Sequence, residues 1–392
     1  MRRSGAGALG RLLVLNLMLA PLVASSVMGQ AARKKSGKPA QGASQEASQP
    51  PVDDGWPDIS NFLDKKFGFM PIAALITEPS VGYGGVGGLA FIDAPFSKGR
   101  PNITFVGGMG TENGTKGFFG ADMRQWRNNT LETRVALVDV SVNLDFYGVG
   151  SDPILADHPL RYNVKPTGGV LEARQRLGGS KVWAGLKYSY AKTPVTFEAP
   201  DATPGLPDYK RTSKVGGVTP SLSYEGRDNF FTPTKGSYLE TMMGIYSPSL
   251  GADDTFQRWQ LIAMQYFPLK SRFFLGLRGQ VQTSSENTPF YMRPYVYQRG
   301  VPAMKYLGEE VAQVEAELRW QFYKRLSVVG FGGTGSAWVD NDRIDSPNSV
   351  GAGGMGLRYE IARKYGMHFG ADVATGPDGA AWYIQFGSAW LR

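Results

Sequence analysis

Apolar and polar side chains alternate at every second position across residues 311–322. The apolar positions are Ala312, Val314, Ala316, Leu318, Trp320 and Phe322, and the polar positions between them are Gln313, Glu315, Glu317, Arg319 and Gln321. Because successive side chains of a β-strand point to opposite faces, a strand here has one apolar and one charged face. This pattern is typical of a transmembrane β-barrel, in which lipid lies outside the wall and a wet lumen lies inside it.

Similar alternation, interrupted by turn-forming residues, continues from Phe67 to the end of the chain. We predict sixteen strands, at 67–77, 82–93, 101–111, 116–127, 130–141, 163–177, 180–192, 213–225, 236–247, 255–267, 272–283, 310–323, 325–339, 348–361, 365–375 and 380–391. In the last of them Trp382 and Trp390 would lie roughly 26 Å apart, close to the spacing of two aromatic girdles. The predicted fold is all-β, a 16-stranded antiparallel transmembrane β-barrel formed by residues 61–392.

Three connections between the predicted strands are long, at 142–162, 193–212 and 284–309. Long loops belong on the extracellular side of an outer-membrane barrel, and 284–309 has enough residues to fold back into the lumen. This loop carries Arg299, which could pair bidentately with Glu315 or Glu317 on the luminal face of strand 310–323. The spacing alone equally allows a solvent-exposed loop arginine.

The N-terminal residues predict export and a flexible linker. Three arginines at positions 2, 3 and 11 accompany the apolar run 12–27, and small residues stand at positions 27 and 29. We interpret residues 1–29 as a secretory signal peptide, with cleavage after Ala31 as an alternative. Residues 30–60 are rich in Ala, Gln, Ser, Lys and Pro, which predicts a flexible periplasmic linker. A short helical turn is expected at 58–66.

Charge and cysteine content narrow the class of protein. Seven of the 42 basic residues lie in the first 38 positions, where there is no acid, so the remainder nearly balances the 34 acidic residues. That balance gives no support to a nucleic-acid partner. There is no cysteine, so no disulfide framework holds the exported chain together. No later stretch reaches the roughly 18–20 apolar residues of a transmembrane helix, which leaves a closed barrel as the route across a membrane.

Possible catalytic and cofactor sites are weakly supported. Segments 82–87 and 330–335 fit the G-x-G-x-x-G spacing, but both lie inside strand patterns and no helix follows, as a dinucleotide site would require. The two histidines, His158 and His368, do not cluster with other metal ligands. A serine beside His368 near the membrane surface would be needed for a lipid-acting barrel enzyme. We predict no catalytic residue, cofactor or metal, and keep that enzyme as a minor alternative.

Four parts of the chain carry a family resemblance. They are the opening segment 67–84, the turn 227–236, the loop residues 298–301 and the strand 331–338. The turn fits an ordinary charged hairpin, yet it also resembles a family strand-connecting signature at Arg227, Asp228, Asn229, Pro233 and Gly236. Residues 298–301 resemble a V-R-G-F/Y loop tip that folds into a barrel lumen, and 331–335 resembles the F-x-D-x-G strand that receives it. Together these segments resemble the barrel of the BamA/TamA superfamily (bacterial surface antigen family).

The resemblance assigns a docking role to five residues: Arg299, Gly300, Glu317, Phe331 and Gly335. It makes Arg299 the buried loop tip and Glu317 its acidic partner. Gly333 stands where the family has a second acid, so we expect Glu317 to hold the loop alone. Val301 stands where the family has an aromatic residue. The resemblance also implies a weak seam between strands 67–77 and 380–391.

The implied function is insertion or secretion of outer-membrane proteins, by bilayer thinning and opening of the seam. The implied partners are outer-membrane lipid, unfolded outer-membrane protein clients or a separate periplasmic partner. Too few residues precede the barrel for the POTRA repeats of the family, so we expect a barrel-only member in the bacterial outer membrane. A passive or selective pore is the main alternative.

Overall fold

The computed structural model describes residues 54–65, 68–94, 101–148, 155, 158–198, 209–339 and 348–390. The predicted signal peptide and residues 30–53 of the predicted linker lie outside the described residues. One α-helix, α1 (Ser60–Lys65), precedes the sheet, and it falls within the helical turn expected at 58–66. The strands are β1 (Gly68–Ile76), β2 (Gly84–Ile92), β3 (Ile103–Thr111), β4 (Lys116–Trp126), β5 (Leu131–Phe146), β6 (Leu160–Val164), β7 (Thr167–Arg176), β8 (Val182–Phe197), β9 (Tyr209–Glu225), β10 (Gly236–Tyr246), β11 (Phe256–Lys270), β12 (Phe273–Ser284), β13 (Glu310–Tyr323), β14 (Leu326–Trp338), β15 (Asn348–Ala362), β16 (Met367–Gly376) and β17 (Gly379–Phe386).

All seventeen described strands belong to one antiparallel sheet, which confirms the predicted barrel fold. β6 and β7 lie end to end, because both pair with β5 on one side and β8 on the other. Lys165 and Pro166 separate them, and a proline cannot donate a ladder hydrogen bond. Together β6 and β7 form one crossing of the membrane, so the seventeen strands make the sixteen crossings that the sequence predicts.

The sheet has two ends that no ladder joins within the described residues. β1 pairs with β2, and β17 pairs with β16. We call the facing edges of β1 and β17 the seam. A ring contact lies at its extracellular end, where Tyr83 and Trp382 stack with centroids 5.4 Å apart. The outer wall elsewhere follows the predicted alternation; in β13 the side chains of Val314 and Leu318 are exposed and Glu315 is buried.

The last predicted strand, 380–391, is partly wrong. β17 ends at Phe386, and Gly387 follows with a φ of 73°, a left-handed conformation that favours glycine. The chain then turns into the lumen, where Trp390 is only 5% exposed and packs with Tyr238, Met264 and Tyr266. Trp390 therefore does not belong to an aromatic girdle at the lipid surface, as its spacing from Trp382 predicted.

Loop 285–309 occupies part of the lumen. It enters from the extracellular side. The largest cluster of buried apolar residues in the described chain combines side chains of β1–β6 and β8–β11 with this loop, including Tyr291, Met292 and Leu307. No helix of the described residues is long and apolar enough to span a bilayer.

Residues at the end of the predicted linker contact the barrel. Arg325, in the turn between β13 and β14, binds Asp54 at 2.8 Å and Asp58 at 2.9 Å. Trp56 packs against Tyr323 and Tyr359 with ring centroids 6.0 Å away. The described part of the predicted linker is thus held against the periplasmic end of the wall.

Candidate functional site

Loop 285–309 has an internal fold that carries its tip inward. Tyr295 and Leu307 form an antiparallel bridge, and the Val296 N–H donates to the Tyr306 carbonyl at 3.0 Å. Arg293 pairs with Glu309 at 2.9 Å near the base of the loop. These contacts make the loop a two-armed projection with Gln298, Arg299 and Gly300 at its end.

Arg299 is surrounded by three carboxylates. Its Nη2 lies 2.9 Å from Glu315 Oε1 and 2.8 Å from Glu317 Oε2, and its Nη1 lies 2.7 Å from Asp372 Oδ2. The guanidinium carbon also lies 3.5 Å from the centre of the Phe331 ring. Arg299 is 9% exposed, so the arginine is inside the lumen and the alternative of a solvent-exposed loop arginine is wrong.

Glu317 does not hold the loop alone, contrary to the expectation drawn from Gly333. Glu315 is the second acid on β13, and Asp372 on β16 is the third. Asp372 is fully buried and also binds Arg358, whose Nη2 lies 2.9 Å from Oδ2. Alternation in the predicted strand 365–375 marks Asp372 as luminal. Its distance along the chain gives no sign that it meets Arg299.

Two further arginines balance these acids. Arg358 pairs with Asp372, and Arg278 Nη1 lies 3.5 Å from Glu315 Oε2. An unpaired buried charge is costly, and removal of one member of such a network leaves a partner uncompensated. The mutual pairing of three arginines and three carboxylates therefore makes the docked position of the loop strongly preferred.

Glycine at position 333, where the resemblance led us to expect an acid in the family, leaves room for the loop. A Cβ at Gly333 would lie 2.5 Å from the Val314 carbonyl oxygen and 3.1 Å from Gln298 Nε2. Gln298 uses this space to donate to the carbonyls of Val314 and Thr334, at 3.1 and 2.9 Å. A polar side chain of the loop thus occupies the place of the wall acid, and Asp372 supplies the negative charge from another strand.

The remaining docking residues fit the loop closely against the wall. Gly300 has a φ of 88°, and its N–H donates to the Tyr383 hydroxyl at 2.9 Å. A Cβ on Gly335 would lie 2.6 Å from Val296, so only glycine leaves room for the loop there. Val301 is 2% exposed and packs within an apolar cluster with Val311, so it fills its site without an aromatic ring.

Glu315 also links the loop tip to the C-terminal segment. Its Oε1 accepts from Arg299, and its Oε2 accepts from Trp390 Nε1 at 2.6 Å. The Ser388 N–H donates to the Phe231 carbonyl at 2.5 Å, which brings the same segment against the turn 226–235. The sequence offered no signal for this contact, because Trp390 continues the alternation of β17.

The strand-connecting signature forms the turn between β9 and β10, at the periplasmic end of the barrel. Arg227 is 2% exposed, binds Glu225 through Nε at 2.9 Å and lies 4.5 Å from the Tyr238 ring. Asp228 accepts from the N–H groups of Thr234 and Lys235, which closes the turn.

The other signature residues attach this turn to its neighbours. Asn229 donates to the Tyr365 carbonyl at 2.8 Å, and Pro233 is buried. Gly236 has a φ of 98°, and a Cβ there would lie 2.3 Å from the Gly226 carbonyl oxygen. The signature therefore stabilises the periplasmic end of the barrel, and its five residues do not contact Arg299.

His368 does not meet the geometric condition of the hydrolase alternative. It is 7% exposed and faces the lumen, with Nδ1 3.1 Å from Thr232 Oγ1 and Nε2 3.4 Å from Arg319 Nη1. No hydrogen bond to a serine hydroxyl is present at this histidine among the described residues. Within the same residues, no group of His, Cys, Asp and Glu could hold a metal ion. The absence of enzymatic activity stays a prediction.

Comparison with known proteins assigns this one-sheet barrel to a family. Residues 138–362 match the Omp85 superfamily domain. The chain belongs to the Omp85 superfamily. It is accordingly a bacterial outer-membrane protein.

Solved structures of Omp85 barrels share the fold at low sequence identity. BamA from Haemophilus ducreyi lacking POTRA domains 1–3 has a TM-score of 0.57 and 11% identity, over 82% of this chain and 70% of that one. CdiB from Escherichia coli has a TM-score of 0.54 and 13% identity, over 81% of this chain and 62% of that one. CdiB from Acinetobacter baumannii has a TM-score of 0.53 and 11% identity, over 81% of this chain and 59% of that one. No curated protein sequence matches significantly.

Proposed function

We propose that this Omp85 barrel assists the insertion or secretion of proteins at the outer membrane, and that the seam is its working surface. The observation that carries the proposal is the contrast between a loop tip docked inside the lumen and two strand edges that no ladder joins within the described residues. Main-chain N–H and C=O groups on such edges can pair with an incoming strand. A client strand would therefore gain backbone hydrogen bonds at β1 or β17.

Strand length supports the same surface. β1 has 9 residues and β17 has 8. At roughly 3.4 Å per residue and a tilt of about 40°, they span roughly 20–23 Å, less than the ~25 Å apolar band of a typical outer-membrane barrel. A bilayer that matches this wall is thinned beside the seam. Thinning lowers the barrier for a client strand that enters there.

The docked loop weighs against the passive-pore alternative. Arg299 and its three acids hold the loop tip inside the barrel, and buried apolar side chains pack around the arms of the loop. A secretion role that used the lumen would require the loop to undock first.

The proposal is tested by a covalent link across the seam. The chain has no cysteine, so introduced thiols react alone. Tyr83→Cys/Trp382→Cys spans the seam at its ring contact, and a short bis-maleimide joins the two thiols. In liposomes, the unlinked protein should accelerate the folding of an unfolded barrel client. We expect that acceleration to fall at least fivefold when the two thiols are linked.

A matched control uses a pair that is already joined by a ladder. Phe69 and Phe91 are outward-facing partners on β1 and β2, with ring centroids 5.1 Å apart. Linking Phe69→Cys/Phe91→Cys should leave the acceleration unchanged. Equal acceleration by linked and unlinked seam variants, or large stable conductance steps of the wild type in planar bilayers, would contradict the proposal.

A further inference from the structure

Four lysines lie on the outer wall in the extracellular half of the sheet between β4 and β9. They are Lys116 at the start of β4, Lys165 between β6 and β7, Lys192 on β8 and Lys214 on β9, and all four are exposed. Lys192 stands directly opposite Lys214 in the β8–β9 ladder. Residues opposite each other on a sheet share a face, so both amines project from the barrel toward its surroundings. We call these four residues the lysine band.

The height of the lysine band follows from the aromatic residues below it. Phe118 is 77% exposed and stands two positions from Lys116 on β4, toward the membrane. Tyr190 is 36% exposed and stands two positions from Lys192 on β8. Two strand residues rise roughly 7 Å. Because exposed aromatics mark the interface of a membrane barrel, the amines lie at the level of the outer-leaflet headgroups.

The amines of the lysine band are not held in ion pairs by the described residues. Within the described residues, no carboxylate forms an ion pair with any of its four amines. Asp139 lies in the same row and accepts from Thr167 Oγ1 at 3.1 Å, and Asp253 accepts from the backbone N–H of Lys214 at 2.7 Å. Like charges directly opposite in a ladder destabilise it, so the Lys192–Lys214 pair favours an external anion.

A groove adjoins the band on its β4 side. Its volume is about 520 Å³, and its lining includes Lys116, Lys165, Ser141, Phe118 and one acidic residue, Asp139. Glycines form part of its floor, and a Cβ on Gly110 would have no atom within 4 Å. That glycine is therefore not required by packing, and its effect is to leave space on the outer wall.

Apolar side chains continue the groove toward the membrane centre. The ladder rows place Val106, Gly120 and Leu137 side by side, one outward position below the row of Gly108, Phe118 and Asp139. Val106 and Leu137 are 56% and 63% exposed. A molecule with a phosphorylated head and several acyl chains matches this succession of lysines, polar groove and apolar wall.

We propose that the lysine band and its groove bind a phosphorylated glycolipid of the outer leaflet. Lysine ammonium groups attract phosphate as point charges, and basic clusters at a membrane surface recognise anionic headgroups. Lys116 and Lys165 contact the head in the groove, and Lys192 and Lys214 hold a second phosphate or a neighbouring lipid. The acyl chains lie along Val106 and Leu137.

The experiment measures lipid retention by the full chain in detergent, with native mass spectrometry. The probes are bisphosphorylated lipid A, the same lipid with both phosphates removed, and inorganic phosphate. We expect the wild type to retain the bisphosphorylated lipid at least tenfold better than the dephosphorylated lipid. The variant Lys116→Gln/Lys165→Gln/Lys192→Gln/Lys214→Gln should lose that preference. Equal retention of both lipids by the wild type would overturn the proposal, as would binding of inorganic phosphate that displaces no lipid.

Matched variants test whether lipid retention depends on this site or only on the total charge and on added bulk anywhere on the outer wall. Lys181→Gln/Lys270→Gln removes two exposed charges at the periplasmic end and should leave retention unchanged. Gly110→Leu fills the groove and should lower retention. Gly330→Leu, also on the outer wall with nothing within 4 Å of its Cβ position, should not. Heat-modifiable migration on gels reports folding of each variant. Equal losses in the Gly110 and Gly330 variants would contradict the assignment of the groove.

Discussion

The wall beside the seam and the wall opposite it differ in the length and pairing of their strands. β1 and β17 have 9 and 8 residues, whereas β8 and β9 have 16 and 17. β8 and β9 are paired from Val182 and Tyr224 to Phe197 and Tyr209, but no ladder joins β1 to β17 within the described residues. Each ladder hydrogen bond contributes about 0.5–1.5 kcal/mol, so the far wall resists opening and the seam does not.

The docked loop reduces the difference in resistance to opening between the two walls. Its tip contacts β13 through Glu315 and Glu317, and it contacts the seam side through Asp372 on β16 and Tyr383 on β17. The buried charge network thus replaces, inside the lumen, some of the restraint that the missing ladder does not supply. We expect changes in the network to loosen the seam wall and to spare β8 and β9.

Arg299→Ala should have the largest effect. It leaves the buried Glu315 and Asp372 and the partly buried Glu317 without their shared partner, and breaking such a network costs about 3–5 kcal/mol. We expect faster amide hydrogen exchange in β16 and β17, unchanged exchange in β8 and β9, and greater protease sensitivity and conductance from loop 285–309. Arg293→Ala, which removes an ion pair at the base of the same loop, is the control and should leave the tip docked. Uniform acceleration over all strands would contradict the division into two walls.

Trp390→Phe should have an intermediate effect. It keeps an aromatic ring among Tyr238 and Tyr266 but removes the indole N–H that donates to Glu315. A hydrogen bond to a charged group contributes about 1.5–3 kcal/mol. The expected result is faster exchange in residues 387–390 with Arg299 still docked. Wild-type exchange there would mean that packing alone holds the C-terminal segment inward.

Acidification should have the smallest effect, confined to the N-terminal segment. The hydrogen bond from Arg325 lowers the pKa of Asp54 below 3.8. Burial raises the pKa of Asp58, but hydrogen bonds from Ser60 and Arg325 outweigh it and lower the pKa overall. The contribution of both groups is therefore fully present above pH 3.8 and is lost as pH falls through the lowered values. Protease cleavage within 54–65 should increase between pH 5 and pH 3.

The control for acidification is Asp54→Asn/Asp58→Asn. This variant should be cleaved readily at both pH values, because it lacks the groups that titrate. If this variant kept the pH dependence of the wild type, the pH-dependent cleavage would have to arise from other groups, such as Asp64, which binds Lys364 at 2.7 Å.

Much of the fold could be predicted, but only part of the docking site. The alternation within 311–322 identified the luminal face of β13, and the loop residues 298–301 singled out Arg299. Gly333 misled the prediction, because the loss of one wall acid gave no sign that Asp372 takes over its charge from β16. Trp390 misled it as well, since a tryptophan in register with β17 looks like a girdle residue until Gly387 turns the chain inward.

The sequence by itself determined which side chains face lipid and which face the lumen, because that alternation follows from the local geometry of a β-strand. It also marked Arg299 as a candidate for the lumen. Only the tertiary structure decided which acids meet that arginine, where Trp390 lies and which lysines stand side by side on the outer wall. Those relations join residues far apart in the chain, and they depend on ladder register and on the path of the loop through the lumen, which no local pattern records.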